Sequence, residues 1–261
     1  MKKREPPDPP VSPDELLRLA DELDLTALVD SLASLLAQAE QDGPSYTGFA
    51  LSLLRTEANA RRQRKLARGL KRSQLGSVEG IDGFDFTARP QLEPRVVKEL
   101  LNCRFVEEHR NVICVGRPGL GKTRIAKALA HAACLRGYST LFTVTAEMLE
   151  HIHASLADGT FKRALRRYTK PALLVLDELG YEPFDRKMAS YLFRVISARH
   201  RDGTGSIVVT ANTGFTKWSS FFPSEAESIA TVDRLVDCAT ILRFTGQSFR
   251  NPKDVHGAPL D

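Results

Sequence analysis

The 261 residues carry a net charge of +5 and are 42% hydrophobic and 26% charged, the balance of an ordinary soluble globular chain with one large domain or a large and a small one. No run approaches the roughly 18 apolar residues of a bilayer span, and the basic start MKKREPPDPPVSPDE meets prolines and acids where a signal peptide turns apolar. A cytoplasmic protein without membrane attachment is therefore expected, and the modest positive charge permits nucleic acid as a partner without requiring it. Four scattered cysteines form no C-x-x-C, and His151-x-His153 has no further ligand candidate close by, so reduced thiols and no metal cage are expected. Cys114, inside an apolar run, reads as a small buried hydrophobe.

The first ~12 residues, rich in proline and charge, are expected to be disordered. A helical pattern follows from Pro13, capped by Ser12 or Asp14, with Leu16, Leu19, Leu23, Leu25, Leu28, Val29, Leu32, Leu35 and Leu36 at helical spacing. Gln41–Gly48 interrupts it, and a second helix runs from Phe49 through Lys71. Residues 1–75 thus form a small all-helical domain for DNA or a partner. Residues 76–95 carry Gly76, Gly80, Gly83, Pro90 and Pro94 and form a linker anchored by Phe84 and Phe86. Residues 96–251 alternate strand and helix, and 252–261 form a tail. Strands are expected at Asn111–Val115, Thr140–Thr145, Ala172–Leu176, Ser206–Asn212 and Thr240–Phe244. Helices are expected at Lys122–Arg136, Ala146–Leu156, Thr160–Tyr168, Ala189–His200 and Ile229–Val236. Such alternation predicts an α/β domain whose parallel sheet is covered by helices on both sides.

Gly116-Arg117-Pro118-Gly119-Leu120-Gly121-Lys122-Thr123 fits the phosphate-loop pattern G-x-x-x-x-G-K-[ST], with an apolar strand before it and an amphipathic helix after it. Glycines let backbone N–H groups turn toward phosphates, and the helix adds its positive end. Lys122 would reach the β- and γ-phosphates of ATP, and the Thr123 hydroxyl would hold Mg²⁺. The strand LLVLDE ends in two carboxylates that would face the same crevice. Asp177 suits Mg²⁺, and Glu178 suits a base for the attacking water. At the end of the next strand, Asn212 is the first choice to orient that water, with Thr210 as the alternative.

Residues 55–72 contain eight basic side chains against the single acid Glu57. Arg61, Arg64 or Lys65, Arg68 and Arg72 fall on one helical face, which suits either DNA phosphates or a protein surface. A second stripe, Lys162, Arg163, Arg166, Arg167 and Lys170, precedes the acidic strand and suits DNA contact. The first is not interleaved with aromatics and neither offers a sign of sequence-specific readout, so binding to double-stranded DNA would carry little sequence preference.

The ordered set resembles the AAA+ ATPases, and more narrowly the IstB-like transposition helpers related to DnaC-type helicase loaders. The residues that carry it are the basic Glu57–Arg72 helix, Gly83-Phe84-Asp85-Phe86, GRPGLGKT, LLVLDELGYEP, VVTANT, Trp218, Asp233-Arg234-Leu235 and Gly246-Gln247-Ser248-Phe249-Arg250. The resemblance implies an AAA+ core with strand order 5-1-4-3-2, ATP-dependent assembly on DNA as a homo-oligomer through shared ATP sites, and delivery of target DNA to a transposase. It also implies that Arg234 is an arginine finger for a neighbouring subunit, the alternative being a salt bridge to Asp233 or Asp237. A helicase loader in replication and a small-molecule kinase are the rival readings. The acidic pair favours water over a metabolite as nucleophile.

Overall fold

A computed structural model describes residues 12–203 and 205–248. The expectations for the first residues, for Phe249 and Arg250 and for the tail lie outside that range. The chain divides into two compact units, Met1–Ala67 and Arg68–Asp261.

In the first unit α1 (Pro13–Glu22) starts at Ser12, whose hydroxyl accepts the Asp14 N–H. The leucine pattern that reads as one helix is cut at Asp24, which adopts a left-handed φ of 55°, a conformation Asp tolerates better than most residues. A new helix, α2 (Thr26–Asp42), begins there and ends at Gly43 in the left-handed conformation. Its start has no local cap. Instead Glu57, buried on α3 (Tyr46–Ser73), accepts the N–H groups of Ala27 and Leu28 at 3.0 and 3.3 Å. A carboxylate at a helix N-terminus satisfies orphan donors and opposes the dipole. The contact spans 30 residues, which is why local pattern does not reveal this start.

In the second unit two short helices, α4 (Pro94–Leu100) and α5 (Arg104–Glu107), precede the sheet. The strands β1 (Val112–Gly116), β2 (Thr140–Val144), β3 (Leu173–Leu179), β4 (Ser206–Ala211) and β5 (Thr240–Phe244) pair in parallel in the order β2-β3-β4-β1-β5. That is the implied 5-1-4-3-2 read from the opposite edge. Between them run α6 (Lys122–Leu135), α7 (Thr145–Ala154), α8 (Phe161–Thr169), α9 (Arg186–Asp202) and α10 (Glu225–Val236). Alternate residues feed two cores. Val112, Cys114, Leu173, Val175 and Val208 pack with α6, Phe84 and Leu92 on one face. Ile113, Val115, Leu174, Leu176 and Val209 pack with α7, α9 and Trp218 on the other. A sheet apolar on both faces needs helices on both, and the crossovers provide them. Trp218 lies on a 3-10 turn, Phe215–Phe221, that the sequence reading did not anticipate. Among the described residues no helix is long and apolar enough to cross a membrane.

Candidate active site

β1 delivers Gly116 to the carboxyl edge of the sheet, where β5 runs so close that a Cβ on Gly116 would lie 2.2 Å from the Phe244 carbonyl oxygen. The loop then turns through Gly119 at φ 76° and Gly121 at φ 91°, left-handed positions that favour glycine. Gly121 is the N-cap of α6 and supplies no side-chain bond, so no capping side chain stands between the helix N-terminus and a ligand. Lys122, almost fully buried, donates to the Arg117 carbonyl at 2.8 Å and so lies folded along the loop. Pro118, Gly119, Leu120, Gly121, Lys122 and Thr123 line a cavity of about 590 Å³.

Asp177 and Glu178 reach the same place from β3. The Thr123 hydroxyl donates to the Asp177 carboxylate, 2.9 and 3.1 Å from its two oxygens. The Thr210 hydroxyl donates to it from β4 at 2.5 Å, and Thr145 on α7 bonds the Asp177 carbonyl at 2.8 Å. Asp177 is thus buried and fixed from three directions. A hydroxyl and a carboxylate side by side are hard oxygen donors, a set that suits Mg²⁺.

Glu178 differs from its neighbour. It is exposed, lines the cavity and has φ 58°. For a residue with a Cβ this conformation costs about 1–2 kcal/mol. It accompanies a register shift between Leu176 and Leu179 against β4, a bulge that re-aims the side chain. The Thr210 oxygen sustains it by accepting the Glu178 N–H at 3.0 Å. Both polar candidates at the end of β4 line the cavity, and Thr210 in addition touches both acids. Cys114 lies beneath the loop, and burial pushes its thiol up to about 12, so it is no nucleophile here.

Arg234 is not brought to this cavity. It sits in the last turn of α10, whose carbonyls at Arg234 and Leu235 accept from Asn111, just before β1. That is the amino edge of the sheet. Its guanidinium donates to the Ala230 carbonyl and lies 4.9 Å from the Phe193 ring centroid. Asp237, one possible salt-bridge partner, pairs instead with His200 at 2.9 Å.

The basic stripes have different surroundings. In the first unit Arg61 and Arg64 bind the Glu57 carboxylate at 2.8 and 2.9 Å, so both hold α3 to the start of α2 while remaining about half exposed. Lys65, Arg68 and Arg72 are exposed on α3. On α8, Lys162, Arg163, Arg166 and Arg167 all face solvent while Ala164 and Tyr168 are buried beneath. The end of α8 is tied down by Arg199 of α9, which the sequence reading did not single out. Its guanidinium, 1% exposed, donates to the carbonyls of Tyr168, Thr169, Pro171, Ala172 and Ser206. Burial without a carboxylate lowers its pKa to about 10.

The profile of a family described as IstB-like ATP binding protein matches residues 18–256. The insertion sequence IS21 putative ATP-binding protein of Pseudomonas aeruginosa is 35% identical over 236 residues, 90% of this chain and 88% of the relative. The corresponding IS5376 protein of Geobacillus stearothermophilus is 31% identical over 228 residues, 87% and 90% of the two chains. Among solved structures, the DnaC helicase loader superposes with a TM-score of 0.50 at 18% identity, covering 66% of this chain and 97% of that one. DnaI does so with 0.51 at 21%, covering 58% and 84%. At such identities the structural likeness speaks for the fold, a P-loop AAA+ core, and the sequence likeness speaks for the family. With the family profile spanning the loop, the acidic strand and the rest of the sheet, this chain belongs to the IstB-like ATP-binding proteins of insertion sequences.

Proposed function

We propose that the protein is a cytoplasmic, Mg²⁺-dependent ATPase that assembles on double-stranded DNA and presents it to a partner transposase. The observation that carries this reading is the Asp177 carboxylate clasped by the Thr123 and Thr210 hydroxyls, with Glu178 re-aimed into the same cavity one residue later. The N–H groups of the loop and of the first turn of α6 bind the phosphates, and Lys122 exchanges the Arg117 carbonyl for a phosphate oxygen. Thr123 and Asp177 would hold Mg²⁺, which when bound would neutralise charge on the phosphates. Glu178 accepts the proton of a water that Asn212 helps to orient, and Thr210 keeps Glu178 in place.

Arg234 lies near the amino end of β1, whose five residues span about 16 Å before the loop begins at its carboxyl end. In this reading it serves the site of a neighbouring copy, so the contact is head to tail and the copies form a ring or a spiral. The exposed α8 stripe and the α3 basic face meet DNA phosphates without reading bases. A helicase loader is the second reading. It is favoured by an apolar cavity of about 510 Å³ in the first unit, lined by Leu25, Leu28, Leu53 and Leu54, a surface suited to a protein. Co-purification with a hexameric helicase rather than a transposase would select it.

The test is the size of the protein on duplex DNA in ATP and in ADP. A larger species only with ATP and DNA together is expected. Identical elution in both nucleotides refutes the proposal.

A further inference from the structure

Outside the catalytic pair, one buried cation touches the phosphate loop from behind. Arg89, in the linker, is 1% exposed, and its Nε donates to the Leu120 carbonyl at 2.9 Å. Its Nη1 donates to the adjacent Ala88 carbonyl at 2.6 Å. The turn that presents it is built by Asp85, which accepts the Thr87 and Ala88 N–H groups at 2.9 and 3.3 Å. The other side is closed by Gly246, after β5, at φ 109°. A Cβ there would lie 2.3 Å from the Ala88 carbonyl oxygen and 3.0 Å from Arg89 Nη1. The linker motif and the closing motif, neither used by the catalytic reading, thus converge on one side chain. Burial pulls its pKa below the usual value, yet guanidinium remains charged at any physiological pH.

A trans peptide is planar, so the Leu120 carbonyl and the Gly121 N–H point in opposite directions. A donor that draws the carbonyl toward the linker therefore turns the Gly121 N–H away from it. Gly121 lines the cavity and caps α6, so that N–H is part of the anion cradle. We propose that Arg89 is a positioning residue for the nucleotide: by holding the Leu120 carbonyl outward it presets the phosphate loop for ATP and ADP, and Gly246 holds Arg89 against it. The inference rests on the proposed ATP site and deepens it. It also makes the linker part of the nucleotide-binding apparatus, so a displacement of Ala88 and Arg89 loosens the loop.

The experiment titrates ATP and ADP, each with Mg²⁺, into wild type, R89M and R89K by calorimetry, with thermal melts and steady-state ATPase alongside. R89M keeps the stem and removes every side-chain donor, and it is expected to weaken both nucleotides about tenfold, the effect of losing one charge-assisted bond. The loss falls in KM rather than kcat, and R89K, which retains a donor of similar reach, recovers most of it. A lower melting temperature with unchanged nucleotide affinity means a purely structural Arg89 and overturns the inference. If R89M does not fold, G246A carries the test from outside the loop: weaker ATP binding supports the inference, and unchanged binding overturns it. A wild type that binds no nucleotide removes the proposed function together with this inference, whereas wild-type binding with unaffected variants removes only the latter.

Discussion

Replacing Thr210 by valine changes almost nothing in shape and removes one oxygen that two acids share. Thr210 is 1% exposed, donates to Asp177 at 2.5 Å and accepts the Glu178 N–H at 3.0 Å. Losing a buried bond to a carboxylate costs about 1.5–3 kcal/mol, and a part-buried N–H left without its acceptor adds about 1 kcal/mol. Asp177 keeps Thr123, and the new methyl recovers a little, so a net loss of about 2–3 kcal/mol is expected. For a unit of this size that is a fall in Tm of about 5–10 °C. The catalytic effect is larger than the structural one. Glu178 stays at φ 58° against a preference of about 1–2 kcal/mol for ordinary backbone, and Thr210 is what holds it there. Without it the bulge relaxes and the carboxylate leaves its water, so kcat drops by about 10²-fold, the lower range for loss of a general base. ATP affinity changes little, because the loop and Lys122 are untouched. Phosphate release at saturating ATP and DNA, melting curves and nucleotide calorimetry on T210V and T210S measure all three. T210S restores the oxygen and should restore kcat. T210V with a lowered Tm and wild-type turnover would refute the reasoning.

The Arg61 guanidinium holds the Glu57 carboxyl below its usual value of 4.5, with help from the Leu28 and Ala27 N–H groups. A depressed carboxylate stabilises above its unfolded pKa and loses that contribution as pH falls through the folded one. Far-UV circular dichroism of the full chain should therefore show an acid step below about pH 4 that is absent in E57Q; superimposable acid profiles speak against the cap. Reversing three charges on α8 (K162E, R166E, R167E) should leave the melting temperature nearly unchanged, since all three are exposed, and flatten the log–log salt dependence of duplex binding by about 2.7. An unaltered slope would place the DNA elsewhere. R234A should bind ATP as wild type does yet lose DNA-stimulated hydrolysis, and mixing it with E178Q should return part of the turnover, each copy supplying what the other lacks. Full turnover by R234A alone would show that no neighbour is needed.

The sheet was legible because its strands carry their burial in their own residues. Leu173–Leu176 is apolar on both faces, so it had to be central and covered, and β3 lies between β2 and β4. Some helix ends that are set locally were also legible, as with Gly43 after α2. The starts of α9 and α10 were placed late, at Ala189 and Ile229, although Asp185 and Ser224 cap them locally, whereas the start of α2 depends on a remote group. α2 begins where it does because a carboxylate on α3 receives its N–H groups. The 3-10 turn exists because Trp218 must be buried among residues of the second core. No window along the chain contains such information.

The site divides in the same way. The phosphate loop and the acidic pair announce themselves because glycine, lysine, hydroxyl and carboxylate are required by chemistry at fixed spacing. The supporting residues are chosen by direction, and direction appears only when strands are laid side by side. Thr210 and Asn212 are two residues apart on one strand end, and only the register of β4 against β3 makes Thr210 the partner of both acids. Arg61 and Arg64 look like free phosphate ligands on a helical wheel, yet each spends part of its charge on Glu57. Arg89 has no motif of its own, because a guanidinium that orients a carbonyl needs only reach and burial. A stripe of basic residues in a sequence is therefore an upper bound on the charge offered to DNA. On α8, where the apolar face is buried and the basic face meets solvent, that bound is nearly attained, which is why the salt-slope experiment belongs there rather than on α3.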